Sequence, residues 1–170
     1  FSLAWRLCVL AHGSDRLPPE QREVLLDLLA LAGLATITDI VPLLDENRII
    51  ARFGLGRVKH TRLTGLRALL EEAGLDGQRV GSEEAGFVIG PRLNACGRMG
   101  HAGLAVELLT TATEARAAEI ATRLDQQNRE RRATERAIFD RARELAEGAG
   151  MTAPAPRARP PAHQARHPGA

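Results

Sequence analysis

The stretch EEAGFVIGPRLNACGRMGHAGLAVELLTT, residues 83–111, carries the strongest local signals in the chain. Ser82 and the two glutamates after it are typical of a helix N-terminus. The apolar run that follows predicts a helix stopping around Gly90–Pro91, since proline interrupts the helical hydrogen-bond ladder. Residues 90–103 hold four glycines and one proline, which predicts a structured loop or a broken helix. A short helix should follow it.

Four side chains in or beside this glycine-rich segment are candidates for ligand binding. Arg92 and Arg98 offer the fork-shaped donors that match a phosphate, and Asn94 offers an amide that both donates and accepts. Glycines let the backbone approach a ligand closely, so the segment is predicted to bind an anion. A helix-breaking linker with solvated arginines fits the pattern equally well. His101 follows the segment and either faces the ligand or has no role.

Upstream, a helix is predicted from Pro18 to about Gly33, apolar on nearly every side and therefore buried. The next stretch, residues 35–47 (ATITDIVPLLDEN), is β-branched and then contains a proline, which predicts a short strand or an extended loop. Asp39 would end this buried extended segment. Carboxylates there suit hard cations such as Mg²⁺ or Mn²⁺, although an aspartate that caps a turn or a helix looks the same in sequence.

Residues 47–70 contain six basic residues and no acid. Two helices are predicted here, over residues 47–59 and 64–74. Arg48 and Arg52 share a helical face and would track a phosphate backbone without reading its sequence. The alternative is a solvated helix face.

A long helix is predicted from the capping-box spacing of Thr111 and Glu114 to about Gly148. Its middle is polar on every face, which is typical of an interdomain connector. A surface helix with many i,i+4 ion pairs is the alternative. The last twenty residues hold five of the nine prolines and should be disordered.

Bulk composition narrows the function classes. The chain has 170 residues, 44% apolar and 26% charged, with a net charge of +2, which fits a soluble globular protein without a global basic field. Two cysteines without metal-type or disulfide spacing indicate a reducing, cytoplasmic compartment. There is no run of transmembrane length, no phosphate-binding Walker loop, no nucleophile elbow and no dinucleotide fingerprint.

Three stretches together resemble the RecJ family. Residues 29–58, LALAGLATITDIVPLLDENRIIARFGLGRV, are similar to the motif around that family's final metal-binding aspartate. Residues 83–111 match its next signature, the glycine-proline-arginine-leucine-asparagine-alanine loop. Residues 124–147, LDQQNRERRATERAIFDRARELAE, look like the start of its interdomain helix.

The resemblance implies a DHH-superfamily phosphoesterase with an α/β core. Such an enzyme degrades single-stranded DNA from 5′ to 3′ in repair and recombination, using Mn²⁺ or Mg²⁺. By position it makes Asp39 a metal ligand, and it makes Arg98 and then Arg92 the residues that grip phosphate. Asn94 would contact DNA or hold the loop in shape. Single-stranded DNA is the implied partner, with a single-strand-binding protein or a helicase as further partners.

The departures from the family pattern predict an internal fragment. The family's earlier acidic motifs and its aspartate-histidine-histidine motif are not found here, so most of the metal site is missing and the fragment alone should be inactive. As given, the chain should be mainly α-helical. Residues 1–110 would be the C-terminal part of the DHH core, 111–148 the connector helix, and 149–170 a disordered, off-pattern tail arising from truncation or a frame shift.

Two other functions stay open from the sequence. One is a different DHH-superfamily phosphoesterase acting on short oligonucleotides, cyclic dinucleotides or pyrophosphate. The other is a non-catalytic helical module that binds nucleic acid or protein, which the missing metal motifs would favour.

Overall fold

The regular structure of the chain is helical. The computed structural model describes residues 1–98 and 102–149. Within these ranges no strand occurs, which confirms the mainly α-helical class. A π-helical segment spans Glu84–Ile89. The α-helices are α1 Ser2–His12, α2 Pro19–Thr38, α3 Asp45–Val58, α4 Thr64–Glu72, α5 Gly90–Arg98, α6 Ala102–Thr110 and α7 Glu114–Gly148.

Helix α2 is longer than its sequence suggests, and it forms its main packing with α3. It begins with a proline at its first position and continues past Gly33 to Thr38, so the predicted end at Gly33 is wrong. The strand or extended loop predicted for residues 35–47 is reduced to a turn and loop over residues 39–44. Gly33 is where α3 crosses: a Cβ built on it would lie 2.9 Å from the Cα of Gly54. The glycine pair allows close backbone contact between the two helices, rather than ending one of them.

The hydrophobic core lies where α2, α4, α6, the π-helical segment and the first half of α7 meet. Each large side chain buried there contributes roughly 1.5–3 kcal/mol relative to leaving it exposed. The largest fully buried side chains are Leu66, Leu69, Ile89, Leu108, Ile120, Leu124, Val58 and Val80.

The helix that carries the glycine-rich signature does not stop at Gly90–Pro91, so that prediction is wrong. The π-helical segment precedes the proline, and the Gly90 N–H donates to the carbonyl of Ala85, five residues back. A proline ring normally clashes with the carbonyl four residues earlier in an α-helix. The wider π turn gives the ring room, and α5 continues through Pro91 to Arg98.

Helix α7 begins at Glu114. Its cap is Thr113 rather than the predicted Thr111, since the Thr113 carbonyl accepts from the N–H of Ala117 and its hydroxyl lies 3.4 Å from the N–H of Arg116. By internal packing, residues 1–132 form one compact unit and the chain from 133 onward a second. The domain boundaries read from the sequence, at 110 and 148, stay a prediction, and the predicted disordered tail lies outside the described residues beyond 149.

Several large apolar side chains of the first unit are exposed. On α1 these include Leu3 and Leu10, and on α3 Ile49 and Phe53. Helix α2 is less buried than its composition predicts, since Val24 is 55% exposed. None of the helices in the described ranges is long and apolar enough to cross a bilayer.

Candidate active site

Asp39 occupies the end of α2, where the chain leaves the helix in a Schellman motif. The N–H of Ile40 donates to the carbonyl of Ile37 at 3.2 Å, and the N–H of Val41 donates to the carbonyl of Thr36 at 3.1 Å. These two reversed hydrogen bonds define the motif and make Asp39 the C-cap residue. The sequence prediction that Asp39 ends a buried extended segment is wrong, because Asp39 is exposed at a helix end.

The turn after Asp39 is strained. Ile40 adopts a φ of 54°, a left-handed conformation that this motif normally gives to glycine. A β-branched residue there costs of order 1–3 kcal/mol, and Ile40 recovers little by burial since it is 89% exposed. Such strain tends to persist at functional positions, and here it lies next to the candidate metal ligand.

The electrostatic surroundings of Asp39 favour a cation. The carboxylate stands at the C-terminal end of a twenty-residue helix, where the helix dipole is negative and disfavours an anion. Within the described ranges it has neither a hydrogen-bond donor nor an ion-pair partner. A divalent cation bound here would offset both the side-chain charge and the helix dipole.

Arg92, from the glycine-rich signature, is held by protein groups. Its Nε donates to Oδ1 of Asp125 at 3.0 Å, and its Nη2 lies 2.8 Å from the same oxygen. Its Nη1 donates to the carbonyl of Val88 at 2.6 Å. With all three guanidinium nitrogens engaged and the side chain only 16% exposed, Arg92 ties α5 to α7.

Asp125 is the residue that sequence reasoning missed. Its side chain is 3% exposed and pairs with Arg92 through one oxygen and with Arg129 through the other. The i,i+4 spacing to Arg129 resembles any surface ion pair. The decisive contact joins residues 33 positions apart, which no local pattern reveals, so the supposedly solvated middle of the long helix contains a buried carboxylate.

Asn94 lies beside the end of α2. It lines a cavity of about 140 Å³, and a Cβ built on Gly90 would meet the Thr38 side chain at 2.4 Å, so α5 and the last residue of α2 are in close contact. Thr38 immediately precedes Asp39. The other lining residues are Gly86, Gly90, Pro91, Ala95 and Arg131. The structure therefore brings Asn94 next to the helix end that carries Asp39, although the carboxylate itself does not line the cavity.

Two of the predicted site residues cannot be located. Arg98 ends α5, but its side chain lies outside the described atoms, and His101 lies outside the described residues. Their assignment as phosphate-binding and ligand-facing residues stays a prediction.

A complete metal site is not found within the described ranges: no group of three or more acidic, histidine or cysteine side chains comes together there. Asp39 fits a metal as one carboxylate ligand, through its exposure, its lack of partners and its position at a helix C-terminus. The remaining donors of any such site must come from elsewhere.

Comparison with known proteins gives a consistent result. No family model matches the chain. The single-stranded-DNA-specific exonuclease RecJ of Bacillus subtilis is 42% identical over 125 residues, covering 74% of this chain and 16% of the relative. The RecJ of Haemophilus influenzae is 46% identical over 111 residues, covering 64% and 19%. That of Thermus thermophilus is 36% identical over 139 residues, covering 82% and 19%.

Comparison with solved structures gives the same family. A crystal structure of Thermus thermophilus RecJ in complex with Mn²⁺ aligns with a TM-score of 0.62 at 35% identity, covering 74% of this chain and 18% of that one. The corresponding Mg²⁺ complex aligns equally well. The chain thus spans roughly a fifth of the length of the curated relatives that it matches.

Proposed function

The chain belongs to the RecJ family, and we propose that it forms part of a metal-dependent exonuclease that hydrolyses phosphodiester bonds of single-stranded DNA from 5′ to 3′. The relatives carry the name of single-stranded-DNA-specific exonucleases. Since the chain spans roughly a fifth of their length, the activity, the substrate and the partners of the whole protein are part of the proposal. The single observation that carries it is the Asp39 carboxylate at the strained end of α2, which has no partner among the described residues.

We assign Asp39 the role of one ligand to Mn²⁺ or Mg²⁺. Related RecJ structures hold these ions, and carboxylate oxygens are the ligands that both prefer. A bound ion in such a site polarises the scissile phosphate and lowers the pKa of an attacking water. Because Asp39 is a single ligand, we expect the chain alone to be inactive, with the other ligands supplied by the rest of the parent enzyme.

The signature residues take different roles. Asn94, beside the α2 end, would contact the DNA strand, and Arg98 would hold a phosphate, with His101 as a further ligand-facing candidate. Arg92 was predicted to bind phosphate as well. Its engagement with Asp125 and the Val88 carbonyl supports a positioning role that keeps α5 against α7 and Asn94 in place.

The test is the substitution Asp39→Asn in a complete RecJ enzyme that contains this segment. Loss of a metal ligand should lower cleavage of a 5′-labelled single strand at least a hundredfold in saturating Mn²⁺, because a misplaced ion loses most of its transition-state stabilisation. Binding of the same strand in the absence of metal should change less than threefold, measured by fluorescence anisotropy.

The matched control is Asp76→Asn, which removes the same charge from an exposed turn. It should leave both cleavage and binding unchanged. Full cleavage by the Asp39 variant would exclude this carboxylate as a ligand. Cleavage of dinucleotides in preference to long single strands would instead identify a different DHH-superfamily phosphoesterase.

We also propose a cellular location and further binding partners for this protein. A cytoplasmic location is supported by the two cysteines, which have neither metal-type nor disulfide spacing in the sequence. A single-strand-binding protein or a helicase as partner rests on the family resemblance alone. Co-purification with the complete enzyme would test both partners.

A further inference from the structure

A second concavity, larger than the one beside Asn94, lies on the first unit between α3 and the segment that precedes the π-helix. Its volume is about 580 Å³, within the range of ligand-binding clefts. Three of its lining residues are arginines and none is acidic. The lining residues are Ile37, Leu43, Arg48, Ala51, Arg52, Leu55, Gly56, Arg79, Val80, Gly81 and Ser82; these residues are called the arginine groove.

The three arginines of this groove differ from Arg57 and Arg62, which pair with Glu23 and Asp27 of α2. Within the described ranges, Arg48, Arg52 and Arg79 make neither a salt bridge nor a side-chain hydrogen bond to protein. Arg52 lies 5.9 Å from the centroid of the Phe53 ring, which restrains its guanidinium without neutralising it. Three like charges gathered around one concavity repel each other and attract an anion.

Glu84, whose carboxylate bonds to the lining residue Gly81, does not neutralise the groove arginines. Glu84 accepts a hydrogen bond from the N–H of Gly81 at 2.7 Å, and that bond holds the pKa of the Glu84 carboxyl below its ordinary value. Its carboxylate is thereby committed to the helix N-terminus, and Glu84 does not line the groove.

The groove and the Asp39 region share one structural element, the last turn of α2. Ile37 lines the groove, Thr38 lines the cavity beside Asn94, and Asp39 follows directly. A chain of phosphates that reaches Asp39 can therefore continue past α2 toward the three guanidinium groups. Arg48 and Arg52 lie one helical turn apart on α3, so their Cβ atoms are about 5–6 Å from each other.

We propose that the arginine groove binds the phosphate backbone of single-stranded DNA as a second contact region beyond Asp39. The proposal rests on the proposed function for its ligand and adds residues that the metal-ligand and signature assignments do not include. Contact through guanidinium groups on phosphates makes this binding independent of base sequence. It also makes it strongly dependent on salt, since each neutralised phosphate releases counterions.

The experiment measures binding of a labelled oligothymidine to the chain itself, in EDTA, as a function of salt concentration. The triple substitution Arg48→Gln, Arg52→Gln and Arg79→Gln should flatten the slope of log K against log salt by about 0.7 per arginine, hence by about 2 in all. Affinity at low salt should fall roughly tenfold or more. Binding of the unmodified chain with no slope change in the variant would overturn the proposal, and so would an absence of binding by the unmodified chain.

The matched control removes three exposed arginines outside the groove, Arg67→Gln, Arg123→Gln and Arg136→Gln. It lowers the net charge equally, so it separates contact in the groove from a general charge effect. Arg67, for example, lines a different concavity with Glu71 and Glu114. An equal loss of slope in this control would overturn the proposal. The helical circular-dichroism signal of both variants is compared with that of the unmodified chain.

A second variant guards against misfolding of the first. Replacing the same three residues by lysine keeps the charge while removing the planar fork, so the salt slope should be retained. An unlabelled acidic peptide of the same charge as the oligonucleotide should compete poorly; equal competition would identify an acidic protein segment as the occupant. Because no metal is present, a negative result here leaves the Asp39 cleavage test unaffected.

Discussion

Two groups of arginines in the same acid-free stretch of sequence meet different surroundings. Arg57 and Arg62 reach back to α2, where Glu23 and Asp27 lie 3.0 Å and 3.1 Å from them. Arg48 and Arg52, which precede Arg57 on α3, face a groove without an acid among its lining residues. The contrast shows that a basic run is not one functional unit, since α2 supplies carboxylate partners to Arg57 and Arg62 and, within the described ranges, to neither Arg48 nor Arg52.

The paired group contributes to stability, and the unpaired group is the one that we propose to bind phosphate. Asp27 is 5% exposed, and it accepts from the Thr61 hydroxyl and from both the backbone N–H and Nε of Arg62. The Asp27 carboxylate therefore links α2 to the segment that follows α3. Three substitutions compare buried with exposed ion pairs. The first replaces Asp125, the other buried carboxylate of the first unit.

The largest effect is expected for Asp125→Ala. It leaves the largely buried Arg92 without its counter-charge, which should lower the free energy of unfolding by about 3–5 kcal/mol, measured by urea denaturation. The control Arg129→Ala removes the exposed partner, 76% accessible, and should cost less than about 1 kcal/mol. A similar cost for both variants would contradict the buried pair.

A smaller loss is expected for Asp27→Ala, about 2–3 kcal/mol, because the backbone N–H of Arg62 and the Thr61 hydroxyl lose a charged acceptor. Arg62 itself is half exposed and regains water. The control is Glu23→Ala, whose partly exposed pair with Arg57 should contribute at most about 1 kcal/mol. If Glu23→Ala proved the more destabilising, burial would not be what separates these pairs.

The smallest effect belongs to an exposed pair that links α6 to α7. The hydrogen bond from Arg116, at 2.7 Å, holds the pKa of the Glu107 carboxyl below its ordinary value. A depressed folded-state pKa means that the stabilisation is present above the unfolded pKa and is lost as the pH falls through the folded one. An NMR titration should show the Glu107 midpoint rising toward its ordinary value in Arg116→Gln, and an unmoved midpoint would contradict the contact.

Much of the fold follows from local sequence rules. The helices α3 and α4 lie close to their predicted ranges, and α6 is the short helix predicted after the glycine-rich segment, since apolar spacing and flanking signals are local. The errors fall where a non-local contact or an unusual turn decides: Gly33 was interpreted as a helix end because only the crossing with Gly54 explains it. Pro91 predicts the end of a helix by the usual rule, because no simple sequence pattern predicts the π turn that accommodates its ring.

The candidate site shows the same limit. Residue type and family motif indicate Asp39 and Asn94, and Asn94 lies at the contact between α5 and the end of α2, beside Thr38, which directly precedes Asp39. The structure gives Asp39 the alternative setting that the sequence leaves open, that of a helix cap, although the left-handed Ile40 after it runs against the usual preference for glycine. The sequence alone does not identify Asp125 or Arg79 as important. Asp125 pairs with Arg92 on another helix, and Arg79 lines a groove with Arg48 and Arg52 of α3, and all these partners are distant in sequence.

The amino-acid sequence by itself determined the helical class, the family motifs and the identity of the chemical groups, because helix periodicity and short motifs are properties of neighbouring residues. Only the tertiary structure decided which charges are neutralised: Arg92, Arg57 and Arg62 meet carboxylates, whereas Arg48, Arg52 and Arg79 meet none in the part of the chain that the structure describes. The physical reason is that electrostatic energy depends on distance and burial in space, and helix packing alone sets both.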